Sequence, residues 1–174
     1  MFLSDLEIKR LVEQRVLRIE PYSDEIVSSN GIDLRLGPEY AVLLHSKEVL
    51  DTRKGEIKPD LYFDRRVASE IIEVSPNTIY LFSTLEYLEM PRNLIGLLGL
   101  RSTYARLGFT MPLTVVDAGF CGTLTIQVRS GPFPIRLKVG ERFFHMVVAK
   151  LSSEVEREYV GKYWGVRGLA LPRL

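Results

Sequence analysis

The side chains best suited to chemistry gather in residues 100–130. Asp117 ends an apolar run, Leu113 to Val116, and precedes a turn containing Gly119 and Gly122. A carboxylate in apolar surroundings must be hydrogen-bonded, paired or functional, because ionised oxygens stripped of water are costly. Two readings of Asp117 stand side by side: it braces the turn by accepting backbone N–H groups, or it is a functional acid. Further along, Gln127 lies on a predicted strand, Thr123 to Arg129. There Leu124, Ile126 and Val128 share one face, while Thr123, Thr125, Gln127 and Arg129 share the other. Upstream, Arg101, Ser102, Thr103 and Arg106 open a predicted short helix with Ser102 as its cap and Gly108 at its left-handed end. Free N–H groups, the positive dipole end, two hydroxyls and two guanidinium groups make that corner a cradle for a phosphate or another oxyanion. If the strand runs back past the helix start, carboxylate, amide and cradle converge on one cleft.

The elements that must position these groups are mostly strands. From Ile71 onward the pattern is persistently β, over Ile71–Val74, Thr78–Phe82, Leu85–Leu88, Ile95–Leu98, Ile135–Val139 and Phe143–Leu151, with Gly, Pro and Asn at the turns. Phe143 to Val148 reads as buried on both faces. Earlier, Ser4-Asp5-Leu6-Glu7 is a capping-box signature opening a helix to about Gln14, and Ile32–Leu36 and Glu39–Leu44 read as strands. Many short strands with few short helices predict a mainly β sandwich or distorted barrel, with residues 1–174 forming one domain. His45 to Glu70 is charge-rich and reads as an excursion, either a solvated loop or a hairpin arm facing a neighbouring subunit. Arg65-Arg66 is its competing reading as a phosphate site.

Composition excludes several classes. The formal net charge is only +1, with acids and bases interspersed, so no basic face argues for a nucleic-acid polymer. One cysteine rules out an intrachain disulfide, and no apolar run approaches the ~20 residues needed to span a bilayer. Together with the charged start of the chain, this predicts a cytoplasmic protein. His45, His145 and Cys121 cannot supply the ligand spacing of a zinc-dependent deaminase, so each reads as structural. After Leu151 come Tyr159, Lys162, Tyr163, Trp164 and Arg167 among three glycines. Residues 152–174 thus read as an arm that is mobile alone and orders over a ligand, or as a tail packed by its own aromatics.

Arg101-Ser102-Thr103-Tyr104-Ala105-Arg106-Leu107-Gly108 followed by Val116-Asp117-Ala118-Gly119-Phe120-Cys121-Gly122 resembles the dCTP deaminase and dUTPase superfamily, in spacing as well as identity. A second block, Asp33-Leu34-Arg35-Leu36-Gly37, and the aromatic-glycine tail extend the resemblance over most of the chain. It implies the dUTPase-like (β-clip) barrel, a homotrimer with sites shared between subunits, and Mg²⁺ carried on the triphosphate. It also implies a tail that closes over the nucleotide, with Lys162 and Arg167 on the phosphates, Tyr163 or Trp164 near the base, and Tyr159 as a further substrate contact. Asp33 would be a structural group or a contact to metal-bound water, although its strand neighbour Arg35 also offers it a simple ion pair.

One departure steers the functional expectation. The deaminases of this superfamily carry a proton-shuttling glutamate in the strand after the glycine turn, and that position is Gln127 here. An amide cannot carry protons at neutral pH. The resemblance then points to the archaeal-type dUTPase branch, a dUTP diphosphatase giving dUMP and pyrophosphate. Asp117 would activate water for attack on the α-phosphate, with Arg101, Ser102, Thr103 and Arg106 on the phosphates and Thr125 and Gln127 toward base or sugar. The alternatives are a dCTP deaminase, alone or coupled to dUTP cleavage, and a catalytically silent nucleotide-binding protein of the same fold.

Overall fold

The computed structural model describes residues 1–174. Helix α1 (Asp5–Glu13) is followed by β1 (Arg18–Glu20), β2 (Val27–Ser28), β3 (Gly31–Leu43), β4 (Phe63–Val67), β5 (Ile71–Val74), β6 (Ile79–Glu89) and β7 (Leu94–Leu100). Then come α2 (Ser102–Arg106), β8 (Thr114–Val116), β9 (Cys121–Arg129), β10 (Ile135–Lys138) and β11 (Arg142–Lys150). The main sheet runs β1-β6-β3-β11-β7-β8, with β9 added to β6 and with β2 and β4 added to β3; β10 and β5 form a separate ribbon. All named pairings are antiparallel. Strands β3 and β6 change register between Leu36 and Tyr40 and between Ser83 and Tyr87. Such irregularities bend strands and increase twist, and here each long strand serves more than two partners, so the sheet curls into the distorted barrel expected.

Alternation fills the barrel. Leu34, Leu36, Phe82, Val128, Phe143, Phe144, Met146 and Val148 are fully buried, and each such side chain stabilises the fold by about 1.5–3 kcal/mol. Tyr104 packs on Phe143 with ring centroids 4.2 Å apart, which pins α2 to the core although the helix has only five residues. Burial, reinforced by Glu141, pushes the Tyr104 hydroxyl up to about 12, so it stays protonated at neutral pH.

Several local expectations are corrected. Ser4 precedes α1 but makes no side-chain cap bond, and the Glu7 carboxylate, the other half of the expected capping box, accepts from Arg10 at 2.6 Å instead. Ser102 is the first helical residue of α2, and Arg101 holds the cap position. The two strands read within 32–44 are one continuous β3, and those read within 78–88 are one β6. Burial on both faces holds at Phe143 and Phe144 but gives way to alternation from His145 onward. The approach to Asp117 is buried only at Val116: Leu113 is 76% and Val115 47% exposed, and Asp117 itself is exposed. The reason is topological, since β8 is the last strand of the sheet path and pairs only with β7.

The charged excursion resolves into a connection over 44–62 and strand β4, which pairs back on β3 from Leu43↔Phe63 to Glu39↔Val67. Arg65 is bound to Glu39 and Arg66 to Asp64, so these guanidinium groups are paired rather than held open for phosphate. No helix is long and apolar enough to cross a membrane.

Candidate functional site

A cavity of about 300 Å³ opens where β8, the following turn, β9 and the C-terminal segment meet. That size lies at the low end for small-molecule pockets. Leu81, Val115, Val116, Phe120 and Leu124 form its apolar wall; Asp117, Thr123, Thr125 and Gln127 contribute the polar groups. Alternation along β9 explains the set: Leu124, Ile126 and Val128 turn inward, leaving Thr125 and Gln127 on the outer face. Gly119 shapes the turn after Asp117, since its φ of +80° is a left-handed conformation and an added Cβ would strike Glu158.

The hydrogen bonds divide these polar groups in two. Thr123 Oγ1 donates to Gly168 O at 2.8 Å, and Thr125 Oγ1 accepts from the Ala170 amide at 2.9 Å. The Asp117 carboxylate and the Gln127 amide have no partner within the chain, and both are exposed. A carboxylate and an amide facing the same apolar-walled cavity can bind a polar planar ring and exchange a proton with it or with water. No lysine or arginine lines the cavity, so nothing there neutralises phosphate.

The anion-cradle residues lie elsewhere. Val116 pairs with Gly96, which sets Asp117 beside the start of β7, whereas Arg101 follows its end. Six residues of antiparallel strand span roughly 20 Å. Within one chain the cradle and the Asp117 cavity are therefore at opposite ends of β7. Arg101 is also engaged: its Nε lies 2.9 Å from Asp33 Oδ2, and its Nη1 donates to Arg142 O at 3.0 Å. Asp33 is buried, and its other oxygen meets His145 Nδ1 at 2.9 Å. Ser102, Thr103 and Arg106 are exposed beside this braced network.

The C-terminal segment lies along its own chain. Val166 forms a parallel bridge with Gly122, the Gly165 amide donates to Cys121 O at 2.6 Å, and the Tyr159 amide donates to Ala118 O at 3.1 Å. This brings Tyr159, Tyr163, Ala170 and Pro172 to the cavity. Lys162, Trp164 and Arg167 stay outside it. Lys162 Nζ donates to Arg173 O, Trp164 is half exposed, and the Arg167 guanidinium sits 4.0 Å above the Tyr87 ring and 3.8 Å from Glu20.

Of the residues singled out in the sequence, Asp117, Thr125, Gln127, Tyr159 and Tyr163 thus come together, and Arg101, Ser102, Thr103, Arg106, Lys162, Trp164 and Arg167 do not. Leu81, Ala170 and Pro172 were missed. Leu81 reaches the cavity because it opposes Gln127 across the β6–β9 ladder, a register that alternation alone cannot supply. The residues present do not form a metal site: no group of three His, Cys, Asp or Glu side chains could hold an ion, and both Asp33 oxygens are taken by His145 and Arg101.

Comparison with known proteins bears on this arrangement. A family model described as dCTP deaminase-like matches residues 2–151. The dCTP deaminase of Aeropyrum pernix is 44% identical over 174 residues, covering all of this chain and 97% of that protein. That of Desulfurococcus amylolyticus is 40% identical over 174 residues, covering all of this chain and 96% of the relative. Among solved structures, the 2′-deoxycytidine 5′-triphosphate deaminase of Agrobacterium tumefaciens superposes with a TM-score of 0.69 at 20% identity, covering 87% of this chain and 48% of that one, a likeness of fold.

These relatives overturn the dUTP diphosphatase expected from Gln127. That expectation took a single amide as decisive and needed Asp117 beside held phosphates. The Asp117 cavity has no cation, and an amide at one position removes a route for protons without building a phosphate-cleaving site. Matched by the family model over most of its length and by curated relatives over all of it, the chain belongs to the dCTP deaminase-like family.

Proposed function

We propose that this protein deaminates dCTP to dUTP. The observation that carries the reading is the 40–44% identity to dCTP deaminases along the whole chain; the cavity shared by Asp117 and Gln127 agrees with it. In the reaction, a water oxygen bonds to C4 of cytosine while one of its protons passes to N3. The second water proton then passes to the amino group, the C4–N bond breaks, ammonia leaves and C4=O forms. Proton transfer of this kind needs a side chain that can take up a proton and give it back. Asp117 is the one carboxylate lining the cavity, and we assign it that role. Gln127 holds the ring, and Tyr159 and Tyr163 cover it.

The triphosphate requires cations that the cavity lacks. Ser102 and Arg106, exposed at the far end of β7, suit that need if a neighbouring copy presents them, which is the shared site of a homotrimer. Mg²⁺ would arrive on the triphosphate, and no step above runs through it. The cytoplasm is the compartment this reading expects.

A second reading, a nucleotide-binding protein without turnover, is favoured by one feature: Gln127 stands where the resembled deaminases carry a glutamate. One experiment separates the readings. The protein is incubated with Mg²⁺ and dCTP or dUTP while ammonia and pyrophosphate are assayed together. Ammonia from dCTP without pyrophosphate is the expected result. Binding of dCTP with no ammonia would establish the silent reading, and no binding of either nucleotide would overturn both.

A further inference from the structure

We infer that Gln127 makes the cavity read cytosine and uracil equally, so that the product of the proposed deamination binds as well as its substrate. The inference rests on the reading of the cavity as a pyrimidine site and adds to it a rule of selectivity. Its starting point is which polar groups are uncommitted. Thr123 and Thr125 are tied to the C-terminal segment, and the Tyr163 hydroxyl accepts from the Arg173 amide at 3.2 Å. The Gln127 amide has no partner and is exposed on the outer face of β9. Leu81 opposes it across the ladder, and Leu124 and Phe120 wall the same space, so a ring entering here meets apolar faces, the Asp117 carboxylate assigned to proton transfer, and one free amide to pair with its edge.

An amide end carries one acceptor oxygen and one donor nitrogen. The edge of cytosine presents an amino donor beside a ring-nitrogen acceptor; the edge of uracil presents a carbonyl acceptor beside a ring N–H donor. Each is the mirror of the other in hydrogen-bond sense. A half-turn about the last torsion of Gln127 exchanges its oxygen and nitrogen, and that torsion has two broad, nearly equivalent wells. The same side chain therefore makes two bonds to either ring. A pocket group rejects an analogue strongly only when binding leaves a buried polar atom unpaired, and Gln127 leaves none unpaired with either base. A carboxylate here, accepting only, would make one of the two bonds to each ring. The consequence for turnover is retention of dUTP, which competes with dCTP for the same cavity.

The test is a pair of equilibrium titrations on ice, dCTP and dUTP with the full chain, ammonia being counted in the same samples to correct for converted dCTP. Affinities within about threefold of each other are expected, as is a parallel loss of about tenfold for both nucleotides in Gln127→Leu. Gln127→Glu at pH 7.5 should lose affinity for both in parallel, and it should regain part of it at acid pH, where a protonated carboxyl again offers donor and acceptor. Thermal unfolding of each variant shows that the fold is intact. More than about tenfold preference in the unaltered protein, or a loss confined to one nucleotide, would overturn the inference while leaving the proposed deamination standing. Absence of binding by both nucleotides would overturn the pyrimidine reading and this inference with it.

Discussion

The two ends of β7 present opposite kinds of polar chemistry. At one end, Asp117 and Gln127 are exposed and unpaired beside an apolar cavity. At the other, Arg101, Asp33, His145 and the Arg142 carbonyl are linked by contacts of 2.9–3.0 Å around a buried carboxylate. Removing a group from the first end takes away an interaction that only a ligand can complete. Removing one from the second leaves a buried charge or a stranded donor in the empty protein. The same residue types thus divide into ligand chemistry and scaffold chemistry by their partners rather than by their identity.

The sharpest way to break this contrast is Asp117→Asn. Loss of the assigned proton carrier should lower ammonia release from dCTP by about 10³-fold, with the denaturant midpoint unmoved because the carboxylate braces nothing. A stability loss with unchanged turnover would reverse the assignment of the two ends. Asp33→Ala is the converse experiment. It strands Arg101 and His145 and should lower unfolding free energy by about 3 kcal/mol, read from urea transitions, with a loosened α2 as the local effect. A variant as stable as the parent would show that the buried network contributes nothing.

Which residues would face the cavity was legible to different degrees. The alternation of Thr123 to Arg129 placed Gln127 on the polar face correctly, since period-two patterning survives wherever a strand has one buried side. Gly108 adopts the left-handed conformation expected, with φ of +88°. The convergence of Asp117 with Arg101 to Arg106 was not legible. It depended on the strand after Asp117 running back past the start of α2, but within one chain β7 and β8 run antiparallel and carry the two groups to opposite ends of the pair. Arg167 likewise read as a phosphate ligand because the tail resembles an arm that closes over a nucleotide, whereas the parallel bridge at Val166 brings it over Tyr87. Function was misread for a related reason: one residue, Gln127, outweighed a resemblance spread over the rest of the chain.

Glu86 extends the scaffold side of the contrast to pH. Its side chain is fully buried, with Arg35 Nε 2.6 Å from Oε1 and the Arg35 amide 2.8 Å from Oε2. Burial raises its pKa above the ordinary glutamate value, and the bonds from Arg35 oppose this without cancelling it. A raised folded-state pKa means a contribution to stability that is complete below the ordinary value and is lost as pH rises through the folded one. Stability of the parent relative to Glu86→Gln, which cannot ionise, should therefore fall as pH rises above the ordinary glutamate value of 4.5. A difference that grows with pH there would show that Arg35 outweighs burial.

The smallest effect is expected at Arg167. A guanidinium 4.0 Å above the Tyr87 ring and 3.8 Å from the exposed Glu20 should hold the C-terminal segment by about 1 kcal/mol. In Arg167→Ala the amides of Gly165 and Ala170, which bond Cys121 O and Thr125 Oγ1, should exchange with solvent deuterium about fivefold faster. Because Arg167 does not line the cavity, dCTP affinity should change only through the loosened cover. Unchanged exchange with a tenfold or larger loss of dCTP affinity would place Arg167 with Asp117 and Gln127, among the groups whose partner is the ligand.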